Sequence, residues 1–182
     1  TSLVKGTDDA PTTSSYEEAY SQFNNSETVD ISLVLSGDAS TTIQQYIIDN
    51  VVESRKDCVA FVSPNYASVV NNSCDETTDI ATWLASLNAY SSYGFADSGW
   101  KYQFDKYNNI YRWIPLNGDI AGLCVYTDSV RDPWFSPAGF NRGNLKNVVK
   151  LAWNPAQTAR DSLYSMGINP VATFPGNGTV LY

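Results

Sequence analysis

The chain has 182 residues, 43% of them hydrophobic and 13% aromatic, enough apolar material to offset the entropy of ordering one main domain, so a generally disordered chain is excluded. Nineteen acidic residues against eleven basic ones give a net charge of −8, which leaves no basic footprint for nucleic acid. No apolar run approaches the roughly 18 residues of a membrane-crossing helix, and the absence of histidine removes Ser-His-Asp and Cys-His catalysis, both of which need imidazole to carry a proton near neutral pH.

Residues 1–13, with Gly6, Asp8, Asp9 and Pro11 among small polar residues, read as a linker or the cut end of a preceding domain. A helix is predicted over 14–24, because Tyr16, Ala19, Tyr20 and Phe23 share a face and Ser14 with Glu17 can form a capping box. Val29 to Leu35 is a short β-branched run closed by Ser36-Gly37-Asp38, and Ile43, Tyr46, Ile47 and Val51 then recur at helical spacing. Cys58 to Val62 is a second buried-strand pattern, ended by Ser63-Pro64, and Ile80, Trp83, Leu84 and Leu87 mark another amphipathic helix. Strands alternating with helices predict parallel βαβ units.

The middle of the chain changes character. Trp100 to Asp105 and Asn109 to Ile114 alternate apolar and polar residues around a turn at Lys106-Tyr107-Asn108, which predicts a hairpin or two adjacent strands. Residues 118–130 suit either a helix or a strand by periodicity, and Gly118-Asp119 at the start with Arg131 near the end favours the helix. Leu145 to Trp153 reads as a strand, Asn154-Pro155 as a helix start and Met166-Gly167 as its stop. The stretch from Asn169 to Tyr182 predicts two short strands joined by a Pro-Gly-Asn-Gly turn. The expected organisation is a central α/β domain over 14–165, with 166–182 as the start of a further, truncated C-terminal domain.

Three cysteines, Cys58, Cys74 and Cys124, have neither CxxC spacing nor histidine partners and read as buried reduced thiols, as expected for a chain that folds in a reducing cytoplasm. Asp75, Glu76 and Asp79 have the chemistry of a hard-cation site but also suit the first turn of a helix, where carboxylates complement the macrodipole. Trp100, Tyr102, Phe104, Tyr107, Tyr111 and Trp113 form an aromatic stretch read as hairpin packing, with a carbohydrate-binding or adhesin module as the alternative. A hydrolase using two converging carboxylates is a further alternative, although nothing in the sequence singles out a pair. The residues point to no catalytic, cofactor-binding or metal-ligating set.

The segment from Arg131 to Gly143 (Arg-Asp-Pro-Trp-Phe-Ser-Pro-Ala-Gly-Phe-Asn-Arg-Gly) is dense in Pro and Gly and punctuated by aromatics. Pro133 and Pro137 fix φ while the glycines permit sharp turns, so the loop can hold Trp134 and Phe135 in place at little entropic cost. With Leu151 to Pro155, Arg160 to Pro170 and Phe174 to Tyr182 following in order, it resembles the tail sheath family of contractile, T-even-like bacteriophages. The N-terminal half, through its strands Val29-Asp-Ile-Ser-Leu-Val34 and Cys58-Val-Ala-Phe-Val-Ser-Pro64, resembles the family more loosely.

That resemblance implies a mixed, partly parallel sheet flanked by helices, a subtilisin-like core without catalytic residues. It implies a structural subunit of a virion: rings stacked around a tail tube, assembled in the host cytoplasm and triggered at the baseplate, whose contraction drives the tube through the host envelope to deliver the genome. Self-association and contact with tube and baseplate proteins are the partners implied; nucleic acid and membrane are not. Arg131, Asp132, Trp134, Phe135, Pro137, Gly139, Arg160 and Asp161 are the candidate loop and interface residues. The family's sequences extend beyond both ends of this segment, and with the linking arms expected there, this chain by itself is expected to be monomeric.

Overall fold

A computed structural model describes residues 10–72 and 74–182. Most of the linker expected over 1–13 therefore lies outside the described residues. The first helix, α1 (Thr13–Ser21), begins one residue earlier than its pattern suggested because Thr12 is the N-cap, its Oγ1 accepting from the Ser15 backbone N–H at 3.2 Å. It ends earlier too, in tighter turns where the N–H groups of Phe23 and Asn24 reach back only three residues, to Tyr20 and Ser21.

Strand β1 (Leu33–Leu35) leads into a continuous helical stretch: α2 (Thr41–Tyr46), a π-helical segment (Ile47–Val52) and α3 (Glu53–Arg55). Lys56 then turns left-handed at φ 60°. Strand β2 (Val59–Val62), α4 (Tyr66–Val69), α5 (Glu76–Leu87) and β3 (Gly94–Ala96) complete a three-stranded parallel sheet in the order β1-β2-β3. These are the expected βαβ units. In the π segment Ile47, Ile48, Val51 and Val52 are all buried, a broader apolar face than an ordinary helical stripe supplies.

The parallel sheet is covered on both faces, and strand alternation decides which side chain goes where. Val34, Ala60 and Val62 join Ile43, Ile47, Ile80, Trp83 and Leu163 in one cluster, under the helical layer of α2, the π segment and α5. Leu33, Val59, Phe61 and Phe95 point the other way, into a cluster with Ile120 and Leu123 of α6 (Asn117–Val130) and with Leu116, which caps its start. The ambiguous stretch after Asn117 is therefore a helix, the outer cover of the second face.

Between β3 and α6 lies the predicted hairpin, β4 (Trp100–Asp105) and β5 (Ile110–Pro115), paired antiparallel with Tyr102 opposite Trp113. Beyond α6, the expected strand over Leu145 to Trp153 shrinks to β6 (Lys150–Leu151) beside β4. Its earlier half cannot continue, because Asn147 is left-handed at φ 55° and the Leu145 N–H is already given to Thr179. Helix α7 (Gln157–Ser165) starts two residues past Pro155, and Gly167 at φ 85° stops it as expected. Strands β7 (Val171–Phe174) and β8 (Gly178–Leu181) form the terminal hairpin, whose Val171 and Leu181 belong to the cluster under α6.

Candidate assembly surface

The two polar regions with most structure around them lie at opposite extremes of exposure. The first sits at the carboxyl ends of the parallel strands, where open α/β sheets commonly place their sites. Ser63 Oγ donates to Asp97 Oδ2 at 2.6 Å and accepts from the Asn117 backbone N–H at 3.0 Å and from Asn117 Nδ2 at 3.1 Å. Asp97 Oδ1 accepts from the Gly99 N–H at 2.9 Å, and Asn117 Nδ2 also donates to the Gly37 carbonyl at 2.8 Å. The ends of β1, β2 and β3 are thus tied to the start of α6.

Burial pushes the Asp97 carboxyl up to about 7 against the pull of its Ser63 and Gly99 hydrogen bonds, with the Asp119 charge adding to the rise. Ser63 and Asp97 are each 1% exposed. No substrate can approach that hydroxyl, so the cluster acts as a buried brace. A second buried set flanks it: Gln44 donates to the Ser63 carbonyl at 2.9 Å and accepts from Trp83 Nε1 at 3.0 Å.

The second region is the loop after α6. Gly139, left-handed at φ 92°, donates its N–H to the Leu181 carbonyl at 2.8 Å, and Leu181 in turn donates to Gly143 O at 2.8 Å. Phe140 packs edge-on against Phe174 with centroids 5.2 Å apart and lies 6.1 Å from Tyr182. The Arg160 guanidinium lies over the rings of Phe174 and Tyr182 at 5.2 and 5.4 Å, and its Nη1 donates to the Pro155 carbonyl at 2.9 Å. Two sequence-predicted residues, Gly139 and Arg160, therefore meet on the terminal hairpin, with Phe140, Phe174 and Tyr182 between them.

The others do not converge there. Arg131, Asp132 and Asp161 are exposed, Pro137 is half-buried, and Phe135 lies against Arg142, whose guanidinium is 5.5 Å from its ring centroid. Trp134 is 79% exposed, so within this chain it anchors nothing. Trp134→Ala is accordingly expected to change thermal stability by less than about 0.5 kcal/mol, and a loss above about 1 kcal/mol in a thermal melt would show that the ring is packed.

Among the other candidates, Asp75 is the N-cap residue of α5, and Glu76 and Asp79 lie in its first turn, with Asp79 Oδ2 accepting from Asn72 at 2.8 Å. All three cysteines are free, and burial pushes the thiols of Cys58 and Cys124 up, away from reactivity; Cys74, expected inside, is exposed. Tyr102 stacks on Tyr111 at 5.4 Å and meets the tilted ring of Trp113 at 4.8 Å, with Lys150 over it, while Trp100 is buried with its Nε1–H on the Pro64 carbonyl. Tyr102, Phe104, Tyr111 and Trp113 pack on one another across the hairpin, whereas Tyr107 at its turn is 87% exposed.

Sequence reading missed Asp97, Ser63 and Asn117. A signal existed, since Ser36, Ser63 and Asp97 each directly follow a short apolar strand, but it identified no partner.

A sealed polar brace and an exposed aromatic loop are carried on a sheet covered on both faces, in a mixed α/β module. The chain belongs to the phage tail sheath family: residues 9–182 match the family model described as the phage tail sheath protein central domain. It is 45% identical over 170 residues to the tail sheath protein of Vibrio phage KVP40, covering 82% of this chain and 25% of the relative. It is 39% identical over 181 residues to the tail sheath protein of Enterobacteria phage T4, covering 91% of this chain and 27% of that one. The chain thus spans about a quarter of the length of the curated relatives it matches. Its fold is similar to that of the anti-feeding prophage helical sheath in the contracted state, at a TM-score of 0.68 and 17% identity over 97% of this chain and 44% of the other.

Proposed function

We propose that this chain is the rigid body of a contractile tail-sheath subunit, stacked in rings around a tail tube and moving as a unit when the sheath shortens to drive the tube through the host envelope. The family match across residues 9–182 carries this reading. The two-faced core supports it mechanically: elements tied together by a buried brace favour motion at interfaces over deformation within the subunit. The energy of contraction is then a difference between interfaces, with no nucleotide and no catalytic step. Its partners are further subunits, tube and baseplate proteins. Assembly takes place in the host cytoplasm and the product is the virion tail.

By itself the chain is a monomer in dilute solution, and Trp134 and Phe135 are held out for neighbours. Antibodies raised against this chain should decorate phage tails along their length, and sedimentation of the isolated chain should give a single monomeric species. Labelling of capsids alone would overturn the sheath reading, and rings or tubes formed by the isolated chain would overturn the monomer.

A further inference from the structure

The charges are unevenly divided along the chain. Residues 1–90 hold thirteen acidic and three basic residues, a balance of −10, whereas residues 91–182 hold six and eight, a balance of +2. The fold turns that division into two faces. Exposed Glu18 of α1, Asp49 of the π segment and Asp75 at the start of α5 lie in the helical layer on one side of the parallel sheet; α6 covers the other side.

Along α6 runs an open groove of about 350 Å³. Gly118, Gly122 and Tyr126, spaced four apart, form one wall, and Asn141, Arg142 and Lys146 the other. A Cβ at Gly118 or Gly122 would meet nothing within 4 Å, so the groove is vacant down to the helix backbone. An adjoining hollow shares Tyr126, Asn141 and Arg142 with the groove and brings Val130 and Arg131 beside it. The one carboxylate in its lining, Asp119, is already paired with Lys101 at 2.8 Å. Among the described residues Arg131, Arg142 and Lys146 form no salt bridge, although the chain has a surplus of acids. Lys146 instead rests 5.7 Å from the Tyr126 ring centroid and Arg142 on Phe135. The groove is therefore cationic and part-aromatic on a molecule of net charge −8, and it suits an acidic protein surface.

We propose that this groove receives the acidic helical face of a second copy of the chain. Donor and receiving surfaces lie on opposite sides of the sheet, so the contact is head-to-tail, the kind that propagates into rings or helices instead of closing a dimer. The assignment rests on the sheath reading and names its contact surface. One such contact is weak by itself and gains strength when repeated around an assembly, which agrees with a monomer in dilute solution.

The test is an NMR dilution series of the isotopically labelled chain, from about 0.05 to about 1 mM at about 20 mM salt, repeated at about 0.5 M salt where exposed charges are screened. Concentration-dependent shifts should appear at Gly118, Gly122 and Lys146 together with Glu18, Asp49 or Asp75, and vanish in high salt. The doubly exposed variant R131E/K146E should weaken the association at least about tenfold with an unchanged thermal melt, and R131K/K146R should retain it. Absence of such shifts, shifts outside the groove, or association untouched by R131E/K146E would overturn the proposal. Binding of poly-glutamate without self-association would assign the groove to another acidic partner and also overturn it. Virion labelling decides the sheath reading separately, so tails that label while the groove fails these tests leave that reading standing.

Discussion

Replacing Gly143 by alanine is expected to destabilise the chain by about 3 kcal/mol. The cause is close approach of backbone to backbone. A Cβ at position 143 would lie 2.7 Å from the Leu181 carbonyl oxygen and 2.9 Å from both N and O of Gly139. None of these atoms belongs to a flexible side chain, so relief requires the loop to leave β8. Three hydrogen bonds are then at stake: Gly139 N–H to Leu181 O, Leu181 N–H to Gly143 O, and Gly143 N–H to Gly139 O at 2.7 Å. The Phe140, Phe174 and Tyr182 packing loosens with them. In a thermal melt the midpoint should fall by roughly 6–12 °C, with loss of near-ultraviolet aromatic signal. Gly122→Ala is the control, since its Cβ enters open space on a helix and should stabilise by up to about 1 kcal/mol. Equal melts for Gly143→Ala and the parent chain would show that the loop is not seated on β8.

Much of this architecture was legible because local patterns and tertiary environment agree. Cys58 to Val62 is apolar throughout, as a strand covered on both faces should be, and Ile80, Trp83 and Leu87 share the buried stripe of α5. The loop from Arg131 was legible as a loop, and its family resemblance pointed to the sheath. What failed did so where partners lie far apart in sequence. The stretch from Leu145 looks like a single strand, yet it pairs first with β8 through Thr179 and then with β4 through Tyr102, with a left-handed Asn147 between. Trp134 looks like an anchor by composition and is instead held out to solvent. Ser63 meets Asp97 across 34 residues and Asn117 across 54, and no local period records such a meeting.

Asp97 offers the other large effect, and its sign follows from linkage. Unfolded, its carboxyl titrates near the ordinary 3.8; folded, burial raises it to about 7. Between those values the folded chain keeps a proton that the unfolded chain has released, so this position's contribution to stability falls as pH rises and levels off above about 7. The slope is at most about 1.4 kcal/mol per pH unit. Asp97→Asn removes the titration while nearly keeping the volume, but it cannot satisfy both neighbours. An amide NH2 facing Ser63 meets a hydroxyl already accepting twice from Asn117, and facing Gly99 it meets another donor. At about pH 4, close to the ordinary 3.8, the variant should therefore be less stable than the parent by about 1–3 kcal/mol, and the gap should narrow by up to about 1.4 kcal/mol for each pH unit above that. Towards pH 8 the parent bears the cost of a buried carboxylate that the variant never forms, so the gap should close or reverse. Comparing the two by denaturant unfolding from about pH 4 to about pH 8 cancels the distant carboxylates common to both. A gap constant across that range would place the ionisation of Asp97 outside it, and the brace between β2, β3 and α6 would then hold with its charge unchanged.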